Sequence, residues 1–295
     1  MSTAAAKTKI VVCGGNGFLG SRICKAAVAR DWDVTSISRS GEPSWPTVSA
    51  HTTAPPWSRA VSWRRANVLR PHTYAADLRG ADFVVHSMGI LLEADYKRVL
   101  TGRESPVAGL RRVFGPRKQG ADRDPLEPGP GAEGVEAGEP DGDALTYELI
   151  NRDSALVLAR AAAGAGARAL VYVSAAGGAP VLPARYISSK REAEAGIAAG
   201  FPAMRGVFVR PGFLYDGSRG FTVPVAAATY VGFLANSVTG GRLSGLLGAG
   251  GAKPLPADVV ANAVVEGLAD EQVQGPVEVP EMEVLANRAW RRGML

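Results

Sequence analysis

The chain of 295 residues contains 36 glycines, 20 prolines, two cysteines and 46% hydrophobic residues. A chain of this length buries roughly three quarters of the surface that its unfolded form exposes, which excludes wholesale disorder. Two cysteines exclude a disulfide framework, and together with three scattered histidines they exclude a thiol-rich zinc site, so no metal site is predicted. The net charge of +5 is spread along the chain, which argues against nucleic-acid binding.

The apolar segments of the chain are short. No uninterrupted apolar run of about 18 residues occurs, so no standard membrane-spanning helix is predicted. The most apolar stretch, residues 221–238, is interrupted by polar residues and is interpreted as a buried or interfacial helix, which leaves peripheral membrane contact open. Only eight residues precede the first apolar strand, too few for an ordinary signal or transit peptide.

Apolar patterning predicts strands and helices that alternate along the chain. The predicted strands are residues 9–13, 33–38, 61–68, 81–88, 169–174, 206–210 and 275–279. The predicted helices are 21–30, 74–79, 147–163, 185–199 and 258–268, with a loop at 41–60. This order predicts an α/β fold, a Rossmann-type doubly wound parallel sheet in a single domain over 1–295. Residues 101–143 have almost no large apolar side chains and are predicted to form a long disordered insertion.

A glycine loop lies between the first predicted strand and the first predicted helix. Gly14, Gly17 and Gly20 form G-x-x-G-x-x-G, a pattern that a chain of this glycine content matches by chance about once in two chains. A second match at 245–251 has no strand before it and is discounted. The first match has the required strand before it and helix after it, so its backbone N–H groups suit a diphosphate. The sequence therefore predicts a nucleotide site here.

Arg39 follows the second predicted strand, where Rossmann-type proteins distinguish their two dinucleotides. An acidic residue there would hydrogen-bond a ribose 2′-hydroxyl, whereas the guanidinium fork suits a 2′-phosphate. We therefore expect NADP(H) to be preferred over NAD(H). NAD(H) binding, with Arg39 as an ordinary surface residue, is the alternative.

Tyr186 and Lys190 lie four residues apart on the predicted helix 185–199 and so share one face of it. A nearby cation lowers the pKa of a phenol, which makes Tyr186 a candidate general acid or base for a carbonyl or alcohol. Lys190 also has the length to reach a nicotinamide ribose. Ser174 ends the fifth predicted strand and is the candidate for polarising the carbonyl, although no second hydroxyl stands beside it.

Taken together, these motifs resemble the short-chain dehydrogenase/reductase (SDR) superfamily. GGNGFLG, VVHSMG, YVSA, YISSK and VRPGFLYDG carry the resemblance, which covers the chain outside 101–143. It implies an NAD(P)-binding domain with a small C-terminal substrate-side lobe, and substrate or partner elements at 211–257. The resemblance also implies a set of residues that contact the dinucleotide. They are Gly14, Asn16, Gly17, Phe18, Leu19, Gly20, Arg39, His86, Ser87, Met88, Tyr186, Lys190, Pro211 and Phe213. It also implies a catalytic trio of Ser174, Tyr186 and Lys190.

His86 and Asn151 have weaker assignments. His86 lies in an apolar strand, where a histidine satisfied within the core is the alternative to a place at the nucleotide. Asn151 is a candidate for supporting the geometry of the active site.

A narrower resemblance is carried by VVHSMGILLEADYK, AAGGAPVLPARYISSKREAE and NRAWRRGML. These segments resemble a fungal mitochondrial group of atypical SDRs associated with the coenzyme Q biosynthetic complex and related to the SDR-type accessory subunit of respiratory complex I. The resemblance implies a mitochondrial location on the matrix side of the inner membrane, coenzyme Q complex proteins as partners, and a role in ubiquinone biosynthesis on a hydrophobic quinone-pathway substrate.

The chain departs from the SDR pattern at two positions. Asn67 stands where extended SDRs usually have an adenine-contacting aspartate, and alanines and glycines follow Ser174. Two hypotheses therefore stay open. One is an NADP-dependent oxidoreductase that uses Tyr186 and Lys190, and the other is a non-catalytic, nucleotide-bound structural or regulatory subunit of a mitochondrial inner-membrane complex.

Overall fold

The computed structural model describes residues 6–49, 52–89, 146–177, 184–217, 222–240 and 252–294. The predicted insertion at 101–143 and the discounted glycine motif at 245–251 lie outside these ranges.

A parallel sheet of seven strands forms the centre of the molecule. Its strands are β1 (Lys9–Cys13), β2 (Asp33–Ser38), β3 (Val61–Arg65), β4 (Phe83–His86), β5 (Ala169–Val173), β6 (Arg205–Val209) and β9 (Gly275–Val277). They are ordered β3-β2-β1-β4-β5-β6-β9, and every neighbouring pair is parallel. The order reverses between β1 and β4, and doubly wound sheets bind ligands beyond the carboxyl ends of the strands at such a point. The predicted fold class is confirmed.

Helices cover both faces of the sheet. They are α1 (Phe18–Ala29), α2 (Trp45–Val48), α3 (Ala75–Leu78), α4 (Ser154–Gly164), α5 (Ala184–Gly200), α6 (Thr222–Val238), α7 (Ala257–Ala269) and α8 (Val279–Arg292). Single 3₁₀ turns span Pro56–Ala60 and Pro71–Thr73, and a π-helical turn at Glu148–Asp153 leads into α4. A small parallel pair, β7 (Leu214–Tyr215) and β8 (Leu255–Pro256), lies outside the main sheet.

The inner strands β1 and β5 bury side chains on both faces because helices pack against both sides of the sheet. On β1, Ile10 and Val12 pack into the layer that contains α1, α7 and α8, whereas Val11 and Cys13 pack into the layer that contains α4 and α5. All four side chains are buried. Such side chains stabilise the fold by about 1.5–3 kcal/mol each when fully buried, and the two layers hold the strand ends in place.

The C-terminal helix α8 was not predicted, and the predicted strand 275–279 ends early, at Val277. Pro280 stands in the first turn of α8, where its missing N–H costs nothing. The buried side chains of α8 recur three or four positions apart at Val279, Met282, Leu285 and Ala286. That spacing was the available signal for a helix.

Helix α6 covers Thr222–Val238 of the apolar stretch 221–238, and one face of it is exposed where a buried or interfacial helix was expected. Tyr230, Val231, Leu234 and Val238 are all exposed, Val238 at 88%. Within the part of the chain that the structure describes, none of the helices has both the length and the apolar character that crossing a membrane requires.

Candidate functional site

The glycine loop joins β1 to α1 in a tight turn. Gly14 has φ +84°, donates its N–H to the Ile37 carbonyl at 2.9 Å and accepts the Gly17 N–H at 2.9 Å. A Cβ on Gly20 would lie 2.7 Å from Ser87 Oγ and 2.8 Å from the Gly14 carbonyl carbon. The first turn of α1 therefore packs so closely on the loop that only glycine fits at position 20.

Gly15 was not singled out by the motif, yet the structure requires a glycine there as well. A Cβ on Gly15 would lie 2.8 Å from Ser36 Cβ and 2.9 Å from Cys24 Sγ. The only sequence signal was its place next to Gly14.

The N-terminus of α1 is open toward the loop. Gly17 is the N-cap, no acidic residue lies in the first turn, and no side chain of the described residues caps it. The positive end of the helix therefore keeps its capacity for an anion. The side chains of Phe18 and Leu19 pack instead: Leu19 is buried in the core, and the Arg22 guanidinium lies 4.3 Å from the Phe18 ring centroid.

The loop after β2 is tied to the glycine loop. Ser38 Oγ bonds the backbone of Gly41 in both directions, at 2.9 and 3.0 Å. The Asn16 side chain donates to Ser40 Oγ at 2.6 Å. Arg39 is exposed between these anchors. The structure thus brings Asn16 to the loop that carries Arg39.

Ser87 and Met88 follow β4 and form a wall beside the glycine loop. The N–H and the hydroxyl of Ser87 both donate to the Cys13 carbonyl, at 2.9 and 2.8 Å. A Cβ on Gly14 would lie 2.9 Å from Met88 Cγ. These contacts set the distance between the ends of β1 and β4.

His86 lies inside the core rather than in this wall. Its ring is fully buried, its Nε2 lies 2.8 Å from Ser154 Oγ, and it packs against Tyr172 with ring centroids 5.4 Å apart. Burial, followed by the nearby Lys190 cation, lowers the pKa of His86 to about 3. The imidazole is therefore neutral near pH 7, and the core alternative describes its placement.

Tyr186 and Lys190 begin α5, and both side chains are buried. Lys190 Nζ donates to the Val173 carbonyl at 3.1 Å and lies 5.7 Å from the centroid of the Tyr186 ring. The Tyr186 ring meets Tyr147 edge-to-face with centroids 5.8 Å apart. The phenol and the ammonium thus share the space at the carboxyl end of β5.

The expected effect of Lys190 on the acidity of the phenol is not found. Burial raises the pKa of Tyr186 and Tyr147 adds to the increase, while the cation that opposes it is Arg191. Burial also lowers the pKa of Lys190, to about 8, with Glu194 opposing that shift. The predicted lowering of the phenol pKa by Lys190 is therefore wrong, because desolvation outweighs the field of a lysine that is itself poorly solvated.

Ser174 is held by Arg191, a residue that the sequence analysis missed. Arg191 Nη1 donates to Ser174 Oγ at 2.9 Å, and Nη2 donates to the carbonyls of Ala175 and Ala176 at 2.7 and 3.2 Å. No hydrogen bond joins Ser174 to Tyr186 within the described ranges. The only signal for Arg191 was its position directly after Lys190.

Asn151 lies in the π-helical turn and is fully buried. Its amide donates to Ser189 Oγ at 3.3 Å, and its backbone carbonyl accepts the Tyr172 hydroxyl at 2.8 Å. A Cβ on Gly89 would lie 3.7 Å from Lys190 Nζ and 4.0 Å from Asn151 Oδ1. The ammonium and the amide oxygen thus both face Gly89, and the amide oxygen has no hydrogen-bond partner among the described residues.

Pro211 and Phe213 follow β6 and line the other side of this edge. The Pro211 carbonyl accepts the Ala176 N–H at 2.8 Å, and the Phe213 carbonyl accepts the Leu255 N–H at 3.0 Å. The segment thus connects the loop after β5 to the small sheet. All the predicted site residues therefore come from segments that meet at the carboxyl edge, with the His86 ring turned into the core.

Comparison with known proteins finds a relative that matches most of the chain. The chain is 35% identical over 224 residues to MIOREX complex component 2 of Saccharomyces cerevisiae, covering 72% of this chain and 74% of the yeast protein. The chain belongs to the family of that protein. A shorter match, 38% identical over 81 residues, links 28% of this chain to 24% of an uncharacterised chloroplastic protein of Arabidopsis thaliana. No family model matches the chain.

Solved structures share the fold at low identity. UDP-glucuronic acid 4-epimerase of Bacillus cereus in complex with NAD has a TM-score of 0.53 at 14% identity, covering 92% of this chain and 77% of the epimerase. The Bordetella bronchiseptica enzyme WbmG in complex with NAD and UDP has a TM-score of 0.52 at 14% identity, covering 97% and 79%. These likenesses show a Rossmann-type fold.

Proposed function

We propose that this protein binds a nicotinamide dinucleotide and reduces a carbonyl group, with Tyr186 as the proton donor. The observation that carries the proposal is the meeting of two features at one sheet edge: the glycine loop after β1 and the buried Tyr186–Lys190 pair at the start of α5. Solved structures of the same fold include UDP-glucuronic acid 4-epimerase and the enzyme WbmG, both in complex with NAD.

The loop fits a dinucleotide. Glycines at 14, 17 and 20 keep side chains out of the turn, and the uncapped N-terminus of α1 presents backbone N–H groups to a diphosphate. Ser87 and Met88 would wall the nucleotide, and Pro211 and Phe213 would lie beside the nicotinamide. When bound, the nicotinamide supplies the hydride.

The Tyr186 phenol is protonated near neutral pH, which is the form that can give a proton to a carbonyl oxygen. Burial raises the pKa of Tyr186 and so makes the phenol a weaker proton donor than it is in water, and this shift does not itself favour reduction. Lys190, held by the Val173 carbonyl, would orient the nicotinamide ribose. Ser174 would donate its hydroxyl proton to the same carbonyl oxygen, while its own oxygen accepts from Arg191.

We assign NADP(H) as the preferred dinucleotide and NAD(H) as the weaker ligand. Arg39 is exposed next to the glycine loop, and the described residues provide it with no ion pair or hydrogen bond. A guanidinium without a partner suits the 2′-phosphate. The site would also accept the NAD of its structural neighbours, with lower affinity.

A mitochondrial location and partner proteins are part of the proposal, and a relative supports them. The yeast relative is named as a component of the MIOREX complex, which supports partner proteins and a mitochondrial location. The coenzyme Q resemblance assigns a hydrophobic quinone-pathway substrate, bound by the elements at 211–257. The exposed apolar face of α6 lies in that region and suits contact with a membrane or a partner.

A non-catalytic, nucleotide-bound subunit is the second candidate function. The observation that favours it is the engagement of Ser174 by Arg191, because a serine committed to its own scaffold is less available to a substrate. A bound dinucleotide would then stabilise the folded protein by mass action.

The two candidates can be separated in cells that lack the native protein. Tyr186→Phe removes the proton donor, and Trp290→Phe, on the exposed side of α8 and outside the proposed site, is the control. The enzyme hypothesis predicts that Tyr186→Phe folds and binds NADPH but fails to restore ubiquinone synthesis, while Trp290→Phe restores it. Full restoration by Tyr186→Phe would favour the non-catalytic subunit.

A further inference from the structure

We infer that Arg65, at the end of β3, is a second arginine for the 2′-phosphate of the dinucleotide and acts together with Arg39. The inference rests on the proposed dinucleotide site and adds a specificity residue to it. None of the residues predicted at the dinucleotide lies on β3.

The register of the sheet places Arg65 beside the loop that carries Arg39. Arg65 is the partner of Ser38 across the β2–β3 ladder. Its Nε donates to the Ser40 carbonyl at 3.3 Å, and its Cγ lies 3.2 Å from where a Cβ on Gly41 would be. Gly41 has φ +76°, so glycine both makes the turn and leaves room for the Arg65 side chain.

This corner is held in shape before any ligand arrives. The Ser38 hydroxyl closes the turn on Gly41, and Asn16 of the glycine loop bonds Ser40 Oγ at 2.6 Å. Ser40 Oγ therefore accepts a hydrogen bond from Asn16, and the Ser40 carbonyl accepts one from Arg65. Its hydroxyl proton remains to be donated to an anion.

The charge of the corner is not compensated. Within the described ranges, neither Arg39 nor Arg65 has a carboxylate within 4.0 Å, and the terminal nitrogens of Arg65 have no hydrogen-bond partner. The nearest acidic residue in sequence, Glu42, accepts the Trp45 indole N–H at 3.0 Å. A phosphate monoester carries close to two negative charges near neutral pH, and two arginine forks with a serine hydroxyl suit that group.

Arg64 provides an internal contrast. Successive residues of a strand point to opposite faces, so Arg64 is directed away from Arg65. It pairs with Asp77 at 3.6 Å. Arg64 and Arg65 are thus neighbours on one strand and both are exposed, but they have different surroundings. Arg64 is therefore the matched control.

The test is a calorimetric titration of the full-length protein with NADPH, NADH and adenosine 2′,5′-bisphosphate. Arg65→Gln is expected to lower the affinity for NADPH and for the bisphosphate by about tenfold, the usual size for one lost charge-assisted contact. The affinity for NADH is expected to stay unchanged. Arg64→Gln is expected to bind all three ligands like the original protein. Thermal melting of both variants checks that they fold.

The remaining outcomes would each overturn a different claim. If Arg65→Gln binds NADPH as tightly as the original protein, or loses affinity for NADPH and NADH equally, Arg65 does not recognise the 2′-phosphate. If the unmodified protein binds NADH more tightly than NADPH, both the NADP(H) preference and the role of Arg65 fail, while the dinucleotide site stands. If it binds neither, the proposed function itself fails.

Discussion

Arg191 Nη1 donates a hydrogen bond to Ser174 Oγ at 2.9 Å, and this contact joins the helix of the Tyr186–Lys190 pair to the end of β5. The same guanidinium bonds Glu194 Oε1 at 2.6 Å. Glu194 in turn accepts from Arg210 Nε at 3.2 Å, and Arg210 reaches Glu278 at 2.9 Å. Ser174 is therefore the end of a charged network rather than an isolated hydroxyl.

The buried carboxylate of this network is expected to matter for stability. Glu194 is 5% exposed and carries the charge that balances Arg191 and Arg210. Glu194→Gln leaves two partly buried arginines without that charge and is expected to lower the free energy of unfolding by about 2–4 kcal/mol. Urea unfolding measures the loss.

Glu192→Gln is the control for this variant. Glu192 lies two positions earlier on the same helix, and its side chain is 48% exposed and pairs with Arg152 at 3.0 Å. Its replacement is expected to cost less than about 1 kcal/mol. Equal losses in the two variants would show that the network around Glu194 contributes nothing beyond a surface ion pair.

The close packing of the glycine loop is expected to make Gly20→Ala damaging. The new Cβ would lie 2.8 Å from the Gly14 carbonyl carbon, so the loop backbone must shift, and dinucleotide affinity should fall by more than about tenfold. Gly164→Ala is the control, because nothing lies within 4 Å of a Cβ at the end of α4. Nucleotide titration and thermal melting together check the pair, and unchanged affinity in Gly20→Ala would refute the packing argument.

The buried neutral His86 predicts acid sensitivity. Its pKa is about 3 in the folded protein and 6.5 in the unfolded chain, so below about pH 6.5 the unfolded state binds more protons. This contribution to stability is complete above pH 6.5 and is lost as the pH falls toward 3. His86→Gln removes the titrating group and should lose less stability between about pH 7 and about pH 5, as measured by urea midpoints. An equal loss would exclude His86 as the source.

Both cysteines are expected to be unreactive in the native protein. Cys13 and Cys24 are buried, and burial raises the pKa of Cys13 to about 12 and that of Cys24 further. A thiolate is the reactive form, so Ellman's reagent should label neither thiol in the folded protein and both in urea. Rapid labelling of a native thiol would mean that the layers around β1 open locally.

Much of the fold was predictable because its signals are local. The bounds of β1 and β2 match the predicted strands, since each is a short run rich in β-branched residues that ends at a turn signal. The small sheet of β7 and β8 and the helix α8 were not predicted. Each strand of that sheet has only two residues and exists through its pairing with the other, and no pattern within one segment encodes such a contact.

The sequence by itself determined the features whose parts lie within one turn of the chain. The spacing of Gly14, Gly17 and Gly20 and the four-residue step from Tyr186 to Lys190 specify a loop shape and a helix face without help from distant residues. Only the tertiary structure decided how these parts are surrounded. It placed His86 on Ser154, 68 positions away, held Ser174 with Arg191, and brought Arg65 to Ser40 through the register of two strands. Burial then set the pKa values of Tyr186 and Lys190, because desolvation depends on every side chain packed around a group and not on its neighbours in sequence.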